Sequence, residues 1–323
     1  MPLVAVLGAT GAQGGSVANR LLADPATWKV RALTRNPDGD AAAALLAKGA
    51  EVVLADVNDA ATLGPALEGV EALFVVTAYW PSIAKLGRDG AGDEEVAQFQ
   101  AVAHAAARTP SLKHVVLSTL PACAKMSDGK FPVPHYDYKQ KAVDWIRDTL
   151  PDLWAKTTEF WPGWYTSNLA TLMRPVPIPG SNGGYLLPLP SKPDAMLPIA
   201  GNLEVNAGIL VEAVLKAGPS KTGSGRIAIC ITDYRPIREV ADVVTKATGG
   251  AKRVAYAEMS DAHAARLYGD FGTEIAAQLR WSEVYPDWHR FAPDRTLSLA
   301  ELGIEGKLVG FEEAVEAVKG QLF

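Results

Sequence analysis

Three glycines, Gly8, Gly11 and Gly14, recur at intervals of three residues between an apolar run and a helical pattern. In such a loop the first glycine permits a tight turn, the second lets the backbone approach a pyrophosphate, and the third lets helix and strand pack closely. Free N–H groups at the start of the helix would then face the phosphates. The spacing predicts a dinucleotide site, and a glycine turn without a ligand is the alternative. The residues assigned to this site are Gly8, Thr10, Gly11, Ala12, Gln13 and Gly14.

The end of the second predicted strand indicates which dinucleotide binds. An acidic side chain there would bind the ribose 2′-hydroxyl of NAD, whereas an arginine would accept the 2′-phosphate of NADP. The sequence has no carboxylate at this position and places Arg35 next to it. Because a guanidinium matches phosphate geometry in a bidentate way, Arg35 favours NADP(H), with a solvated loop arginine as the alternative. Asp56 and Val57 follow the third strand and are predicted to meet the adenine edge.

Residues after the fourth and sixth predicted strands are candidates for the wall of a ligand cleft, because ligands bind outside the carboxyl ends of strands in open α/β sheets. They are Thr77, Tyr79, Trp80, Trp161, Gly163, Trp164 and Tyr165. A flat apolar substrate could stack on such rings, or the rings could pack two lobes together. The substrate contacts are assigned to Trp80, Tyr136, Trp161 and Trp164. Further along the chain are Trp281, Tyr285 and Trp288. They either add a wall to the cleft from the smaller lobe or form the core of that lobe.

Short apolar runs alternate with helical patterns through the first 160 residues. Strands are predicted at 4–7, 30–33, 52–54, 73–77, 115–117 and 157–160, and helices at 13–22, 41–48, 60–67, 94–108 and 139–150. Apolar strands joined by helices predict right-handed crossovers and a parallel sheet buried on both faces. The expected fold class is therefore α/β, a Rossmann-type doubly wound parallel sheet with a smaller C-terminal α/β lobe.

The composition changes after Trp161. Seven prolines fall within residues 175–198, which is more than a helix or a central strand holds, so a loop-rich excursion is expected. Later helices are predicted at 205–216, 237–248, 261–268 and 311–319, with one strand at 226–231. We therefore divide the chain into an NADP(H)-binding Rossmann domain, residues 1–160, and a smaller substrate or partner lobe, residues 161–323, with the chain crossing between the lobes.

Charge and composition argue against several other classes of protein. The 31 basic and 36 acidic residues give a net charge of −5, and the basic residues are dispersed, so no direct nucleic-acid binding is expected. The two cysteines lie far apart and the five histidines are scattered, so no metal site is expected. The sequence lacks an apolar run of about 18 residues, and no membrane contact is expected. Without a basic flank on the first apolar run, a cytoplasmic protein is expected, with the nucleus as a second compartment.

Several segments together resemble the NmrA-like family, which are atypical short-chain dehydrogenase/reductases, and within it the HSCARG-type NADPH-sensing branch. The similar segments are 6–18, 29–31, 34–37, 49–53, 76–80 and 135–139. The resemblance is dense through about residue 170 and thinner afterwards. It implies an NADP(H)-binding Rossmann domain, a small α/β lobe and a cleft between them. The family includes dinucleotide-occupied regulators that bind other proteins as well as true reductases, and both activities stay open here.

The same resemblance assigns three candidate catalytic residues. Ordinary short-chain reductases use Tyr-x-x-x-Lys, in which the tyrosine donates a proton and the lysine lowers its pKa and holds the ribose. Here His135 stands at the tyrosine position and Lys139 is retained. Lys139, expected to open a helix, binds the cofactor or transfers a proton, unless it is a surface lysine. His135 either acts as a general acid or satisfies a loop carbonyl. Ser118 stands where the superfamily has its catalytic serine, or simply ends a strand.

Two functions follow from these residues. The first is an NADPH-dependent reductase of a small aromatic or conjugated carbonyl, enone or imine. The second is a sensor or co-regulator that distinguishes NADPH from NADP⁺ and acts through a regulatory protein partner. The partner is thus either a small-molecule substrate or another protein, and a homodimer is compatible with both.

Overall fold

The structure, a computed structural model, describes all 323 residues. Most strands are short and apolar. The strands are β1 (Leu3–Leu7), β2 (Lys29–Thr34), β3 (Glu51–Leu54), β4 (Ala72–Val75), β5 (His114–Ser118), β6 (Thr157–Pro162), β7 (Val176–Pro177), β8 (Gly184–Leu189), β9 (Met196–Ile199), β10 (Ile227–Cys230), β11 (Asp233–Pro236), β12 (Arg253–Glu258) and β13 (Thr296–Leu297).

Twelve helices connect and cover these strands, together with three short 3₁₀ turns. The helices are α1 (Ala12–Leu22), α2 (Asp40–Ala47), α3 (Ala60–Ala66), α4 (Trp80–Ala107), α5 (Cys123–Met126), α6 (Pro134–Thr149), α7 (Pro151–Trp154), α8 (Leu203–Ala217), α9 (Pro219–Thr222), α10 (Ile237–Ala247), α11 (Asp261–Val284) and α12 (Phe311–Val318). None of them combines the length and the apolar character that crossing a membrane requires.

Eight parallel strands form the main sheet, in the order β13-β10-β6-β5-β4-β1-β2-β3. The central strand β1 is fully buried at Val4, Ala5 and Val6, as expected for a strand covered on both faces. One face packs against α1 and α8, and the other against α3, α4 and α6. The predicted α/β class with a doubly wound parallel sheet is therefore confirmed.

The second half of the chain builds two smaller sheets as well as the edge of the main one. Strands β11 and β9 pair antiparallel, and β12, β8 and β7 form a three-stranded sheet. A separate apolar core joins these sheets to α10, α11 and α12. Strands β10 and β13 return to the main sheet, so the chain crosses between the two parts more than once, and the division at residue 160 stays a prediction.

Three helices begin or end far from the positions predicted for them. Helix α4 begins at Trp80 rather than at residue 94, because a positive φ of 71° at Gly87 breaks it and glycines obscure the helical pattern before that point. Helix α6 begins at Pro134, which suits a first turn where its missing N–H costs nothing, so Lys139 lies in the second turn instead of opening the helix. Helix α11 continues to Val284 beyond a break at Gly269.

The proline-rich segment is also more regular than predicted. Strands β7, β8 and β9 contain Pro177, Pro188 and Pro198. Strand β7 pairs only with Tyr185 and Leu186, so the β7-facing edge of β8 is free where Pro188 lies. A proline without an N–H fits such an edge position. The expectation of a loop-rich excursion was therefore wrong at residues 176–177, 184–189 and 196–199, which form short strands.

Candidate functional site

The glycine loop between β1 and α1 has the geometry that its spacing predicts. Gly8 has a positive φ of 74°, which side chains rarely adopt, and its carbonyl accepts from the N–H of Gly11 at 2.9 Å. A Cβ atom at Gly14 would lie 2.2 Å from the Gly8 carbonyl oxygen. The third glycine is therefore required so that α1 can approach the end of β1.

The start of α1 fits an anionic ligand. The residue that begins the helix, Gly11, provides no side-chain cap, and the first turn contains no acidic residue. The amides of this turn are thus free of protein side-chain acceptors, and the helix dipole favours a negative charge at this end. Of the chemical groups in a dinucleotide, the diphosphate is the one that this cradle suits.

A cleft of about 600 Å³ runs from this loop along the carboxyl edge of the main sheet. Most of the predicted site residues meet in it, including those from loops far apart in the chain. The predicted residues that line the cleft are Gly8, Thr10, Gly11, Ala12, Gln13, Gly14, Arg35, Val57, Thr77, Tyr79, Trp80, Ser118, His135, Tyr136, Lys139, Gly163, Trp164 and Tyr165. The second half of the chain closes the cleft with Ile275 and Gln278 from α11.

Two predicted site residues lie elsewhere. Asp56 does not line the cleft; its carboxylate accepts the N–H of Asn58 and so shapes the turn, while Val57 faces the cleft. Trp161 is 2% exposed, and its indole N–H donates to the buried carboxylate of Glu159 at 3.0 Å. Because side chains alternate along β6, the strand turns Trp161 toward the core. The assignment of Trp161 to the substrate is not supported by this position.

Arg35 lines the cleft directly after β2, at the position where the sequence analysis predicts a contact with the 2′-phosphate of NADP. Its side chain is exposed and forms no ion pair within the protein. The neighbouring Thr34 hydroxyl accepts the N–H of Asn36 at 3.2 Å, which orders the turn that presents the arginine. A guanidinium without a protein carboxylate beside it remains available to a phosphate.

Lys139 is held inside the cleft by Glu95, a residue that the sequence reasoning missed. The Nζ atom of Lys139 forms an ion pair with Glu95 Oε1, and the Thr77 hydroxyl donates to the same oxygen at 2.6 Å. Lys139 is 8% exposed and Glu95 only 1%. The sequence pattern could have identified Glu95, because helical spacing places it on the apolar face of α4 with Phe99 and Val102. A carboxylate on a core-facing stripe indicates a buried partner.

Ser118 belongs to a hydrogen-bonded chain across the floor of the cleft. Its hydroxyl donates to Gln13 Oε1 at 2.7 Å, and Gln13 Nε2 donates to the Tyr165 hydroxyl. The three residues come from β5, α1 and the loop after β6, so these hydrogen bonds link three segments that line the cleft. In this arrangement the Ser118 proton is engaged by Gln13.

His135 contacts a second buried carboxylate that the sequence reasoning missed, Glu274 of α11. Glu274 Oε1 accepts the His135 backbone N–H at 2.8 Å and contacts ring Nδ1 at 2.5 Å, while Arg88 Nε donates to Oε2 at 2.7 Å. Burial raises the pKa of Glu274, but the hydrogen bonds and charge of His135 and the bond from Arg88 lower it by more, so that the pKa lies below its ordinary value. Glu274 is therefore an ionised carboxylate without solvent contact.

Aromatic rings enclose the His135 end of the cleft. The Trp80 ring lies 4.7 Å from the His135 ring and 5.2 Å from that of Phe271, measured between centroids. Burial raises the pKa of Tyr79, Tyr136 and Tyr165 above the ordinary phenol range, so all three phenols are neutral. The cleft thus presents flat apolar surfaces beside neutral hydrogen-bonding groups.

The three aromatic residues left open by the sequence pack as core. Trp281 and Trp288 have no exposed surface and cluster with Trp161 and Tyr136 behind the cleft. Tyr285 stacks on Trp281, with ring centroids 5.7 Å apart. These rings support the wall formed by Tyr136 rather than facing the cleft themselves.

Comparison with known families and structures gives a consistent result. The model of the NmrA-like family matches residues 2–305. The NmrA-like family domain-containing oxidoreductase FrzB of Cladobotryum sp is 35% identical over 175 residues, which is 54% of this chain and 50% of FrzB. The chain therefore matches half the length of this relative.

Two solved structures share the fold over nearly the whole chain. NmrA, described as a negative transcriptional regulator, has a TM-score of 0.77 at 21% identity and covers 99% of this chain and 96% of its own. The triphenylmethane reductase of Citrobacter sp., complexed with NADP(H), has a TM-score of 0.69 at 18% identity and covers 98% and 99%. One neighbour is thus described as a regulator and the other as a reductase.

Proposed function

The chain belongs to the NmrA-like family, and we propose that it is an NADPH-dependent reductase of a small aromatic or conjugated carbonyl, enone or imine. One observation carries the proposal: a single cleft joins the phosphate-binding loop to a buried lysine and a buried histidine beneath aromatic walls. The triphenylmethane reductase, whose name specifies an aromatic substrate, supports this substrate class. A flat conjugated acceptor matches the ring of Trp80, which is partly exposed in the cleft.

The cofactor is NADP(H), held by residues at both ends of the cleft. The amides at the start of α1 would bind the diphosphate, and Arg35 would bind the 2′-phosphate. When bound, the reduced nicotinamide supplies a hydride. Lys139, fixed by Glu95, would hold the ribose end, and the chain from Ser118 through Gln13 to Tyr165 would keep the underlying loops in place.

Reversing the charge at residue 35 will invert the nucleotide preference. In Arg35→Glu the carboxylate repels a 2′-phosphate and can accept from a 2′-hydroxyl, so the affinity for NADPH will fall by at least tenfold, about 1.4 kcal/mol, while that for NADH rises. Isothermal titration calorimetry with both nucleotides measures the change. Arg253→Glu, at an exposed arginine far from the cleft, is the matched control and will leave both affinities unchanged. An unchanged preference in Arg35→Glu would rule out the 2′-phosphate contact.

Reductase activity is tested directly by NADPH oxidation. The purified protein is screened at 340 nm against aromatic aldehydes, quinones, enones and cyclic imines, with saturated analogues as controls for the need for conjugation. The expected result is turnover for conjugated acceptors and a loss of at least a hundredfold in kcat for His135→Asn, which removes a candidate proton donor. If NADPH binds but none of these acceptors is reduced, the reductase proposal is wrong.

A sensor is the second candidate function, and two observations favour it. The tyrosine of Tyr-x-x-x-Lys is replaced by His135, and the fold neighbour NmrA is described as a regulator. Here NADPH and NADP⁺ would stabilise different arrangements of the cleft loops, or different states of a homodimer or of a complex with a regulatory protein. Such switching requires different affinities for the two forms. Equal affinities, together with one oligomeric state at all nucleotide concentrations, would exclude it.

A further inference from the structure

We propose that Glu274 is a positioning residue that makes His135 the proton donor of the cleft, a role that rests on the proposed reductase function. Glu274 reaches His135 from α11, so the second half of the chain completes the proton-transfer site. Lys139 then serves to hold the cofactor instead of protonating the substrate.

The orientation of His135 follows from its contacts with Glu274. The carboxylate accepts both the backbone N–H and the ring at Nδ1, at 2.8 and 2.5 Å. An ionised carboxylate has no proton to donate, so Nδ1 must carry the hydrogen of this bond. The neutral imidazole is thereby fixed as the Nδ1–H tautomer, and Nε2 is the atom that gains and loses a proton.

The ring of His135 cannot easily leave this orientation. It packs between the rings of Trp80 and Tyr136, with centroids at 4.7 and 4.6 Å, and lies 5.7 Å from that of Tyr79. Arg88 holds the other oxygen of Glu274 at 2.7 Å, so the carboxylate itself is fixed from α4. With Nδ1 bound to Glu274 and the residue lining the cleft, Nε2 is the ring nitrogen available to a substrate.

Lys139 is the weaker candidate for proton donor because its ammonium group is already neutralised. It lies one helical turn after His135 on the same face of α6, so both side chains reach the cleft. Its Nζ, however, forms an ion pair with the buried Glu95 and lies 3.3 Å from the Thr77 hydroxyl. Giving up a proton would leave Glu95 as an uncompensated buried charge. The carboxylate beside His135 differs from Glu95, because Glu274 also contacts Arg88 and keeps that partner when the ring transfers a proton.

In the proposed reaction the hydride comes from the reduced nicotinamide and the proton comes from His135. As the acceptor carbon gains the hydride, the electron pair of its C=O or C=N bond moves to the heteroatom. The Nε2–H bond of the His135 imidazolium breaks and an O–H or N–H bond forms. His135 is left neutral, with its remaining proton on Nδ1, and it is reprotonated from water that enters the open cleft.

The charged and titratable groups around His135 come from three parts of the chain. They are Glu274 on α11, Arg88 on α4, Tyr79 before α4, and Tyr136, Asp137 and Lys139 on α6. Of the charged groups among them, Glu274 contacts the ring of His135 directly, and Arg88 contacts the other oxygen of Glu274.

The first test determines the tautomer of His135 and does not require enzyme activity. The full chain is labelled with ¹⁵N-histidine, and the His135 signals are assigned from their loss in His135→Asn. Two-bond ¹H–¹⁵N spectra at high pH will show the proton on Nδ1 in the wild type and a detectable Nε2–H form in Glu274→Gln. Glu95→Gln, which removes the buried carboxylate paired with Lys139, is the matched control and will leave the tautomer unchanged. A wild-type spectrum dominated by the Nε2–H form would overturn the proposal.

The second test separates this proposal from the proposed function. With an acceptor that is reduced, Glu274→Gln will lower kcat by at least tenfold and leave the KM for NADPH within twofold of the wild type. A kcat equal to that of the wild type would overturn the proton-donor role. Turnover that survives in His135→Asn would overturn it as well, while leaving the reductase function intact. If the wild type reduces no acceptor, the reductase function fails and the tautomer spectra alone decide whether Glu274 positions His135.

Discussion

Gly14→Ala will lose NADPH binding while the rest of the fold is retained. The added Cβ atom would lie 2.2 Å from the carbonyl oxygen of Gly8 and 2.5 Å from its carbonyl carbon, and both are backbone atoms that no side-chain rotation can move. The start of α1 must therefore shift away from β1. Since we propose that the amides at this start bind the diphosphate, we expect the affinity for NADPH to fall by more than tenfold.

The stability of Gly14→Ala will also fall, in spite of the better helix propensity of alanine. Overpacking in a tight site costs about 1–3 kcal/mol, whereas replacing glycine by alanine in a helix gains about 1 kcal/mol. Gly15→Ala is the matched control, because a Cβ atom there meets its nearest neighbour, the Ala9 carbonyl oxygen, at 3.4 Å. That variant will keep NADPH binding and gain stability. Calorimetric titration and urea denaturation of both variants check the pair, and wild-type binding by Gly14→Ala would contradict the close-packing role of this glycine.

The phosphate loop and the sheet could be predicted from sequence because their signals are local. Glycines at three-residue intervals and runs such as Val4–Leu7 report on a few adjacent residues. The same holds for Arg35, which directly follows β2. The sequence was less informative about which of two adjacent residues faces the cleft. Both Asp56 and Val57 were predicted to do so, but only Val57 lines it. At a turn, side-chain direction depends on backbone angles that composition does not specify.

The buried carboxylates were missed for a different reason. Glu95 pairs with Lys139, which is 44 residues away in the sequence. Glu274 contacts His135, which is 139 residues away. Helical periodicity shows only that each carboxylate occupies an apolar face, as Glu274 does with Trp281 seven residues later. The side chain that each carboxylate contacts depends on how α4, α6 and α11 pack together. Long-range pairs of this kind decide the chemistry of the cleft, and only the tertiary structure reveals them.

The largest effect on stability will come from removing Lys139. Lys139→Met leaves Glu95 as a buried carboxylate without its cation, and Glu95 Oε2 already has no hydrogen-bond partner. Breaking one half of a buried ion pair costs about 3–5 kcal/mol, because the remaining charge is uncompensated. Lys113→Met provides the matched control: its ion pair with Glu71 is exposed, at 71% and 31% of side-chain surface, and such pairs contribute less than about 1 kcal/mol.

A double-mutant cycle separates the ion pair from other contributions of Lys139. In Lys139→Met/Glu95→Gln the second substitution removes the stranded charge, while the new side-chain amide can still accept from the Thr77 hydroxyl, so most of the lost stability will return. Urea denaturation of the wild type, both single variants and the double variant gives the coupling energy. Additive losses would show that Glu95 and Lys139 do not interact as the structure indicates. Restored stability without restored NADPH affinity is the expected result, because the ammonium group that we propose to hold the ribose is absent from the double variant even when its fold is intact.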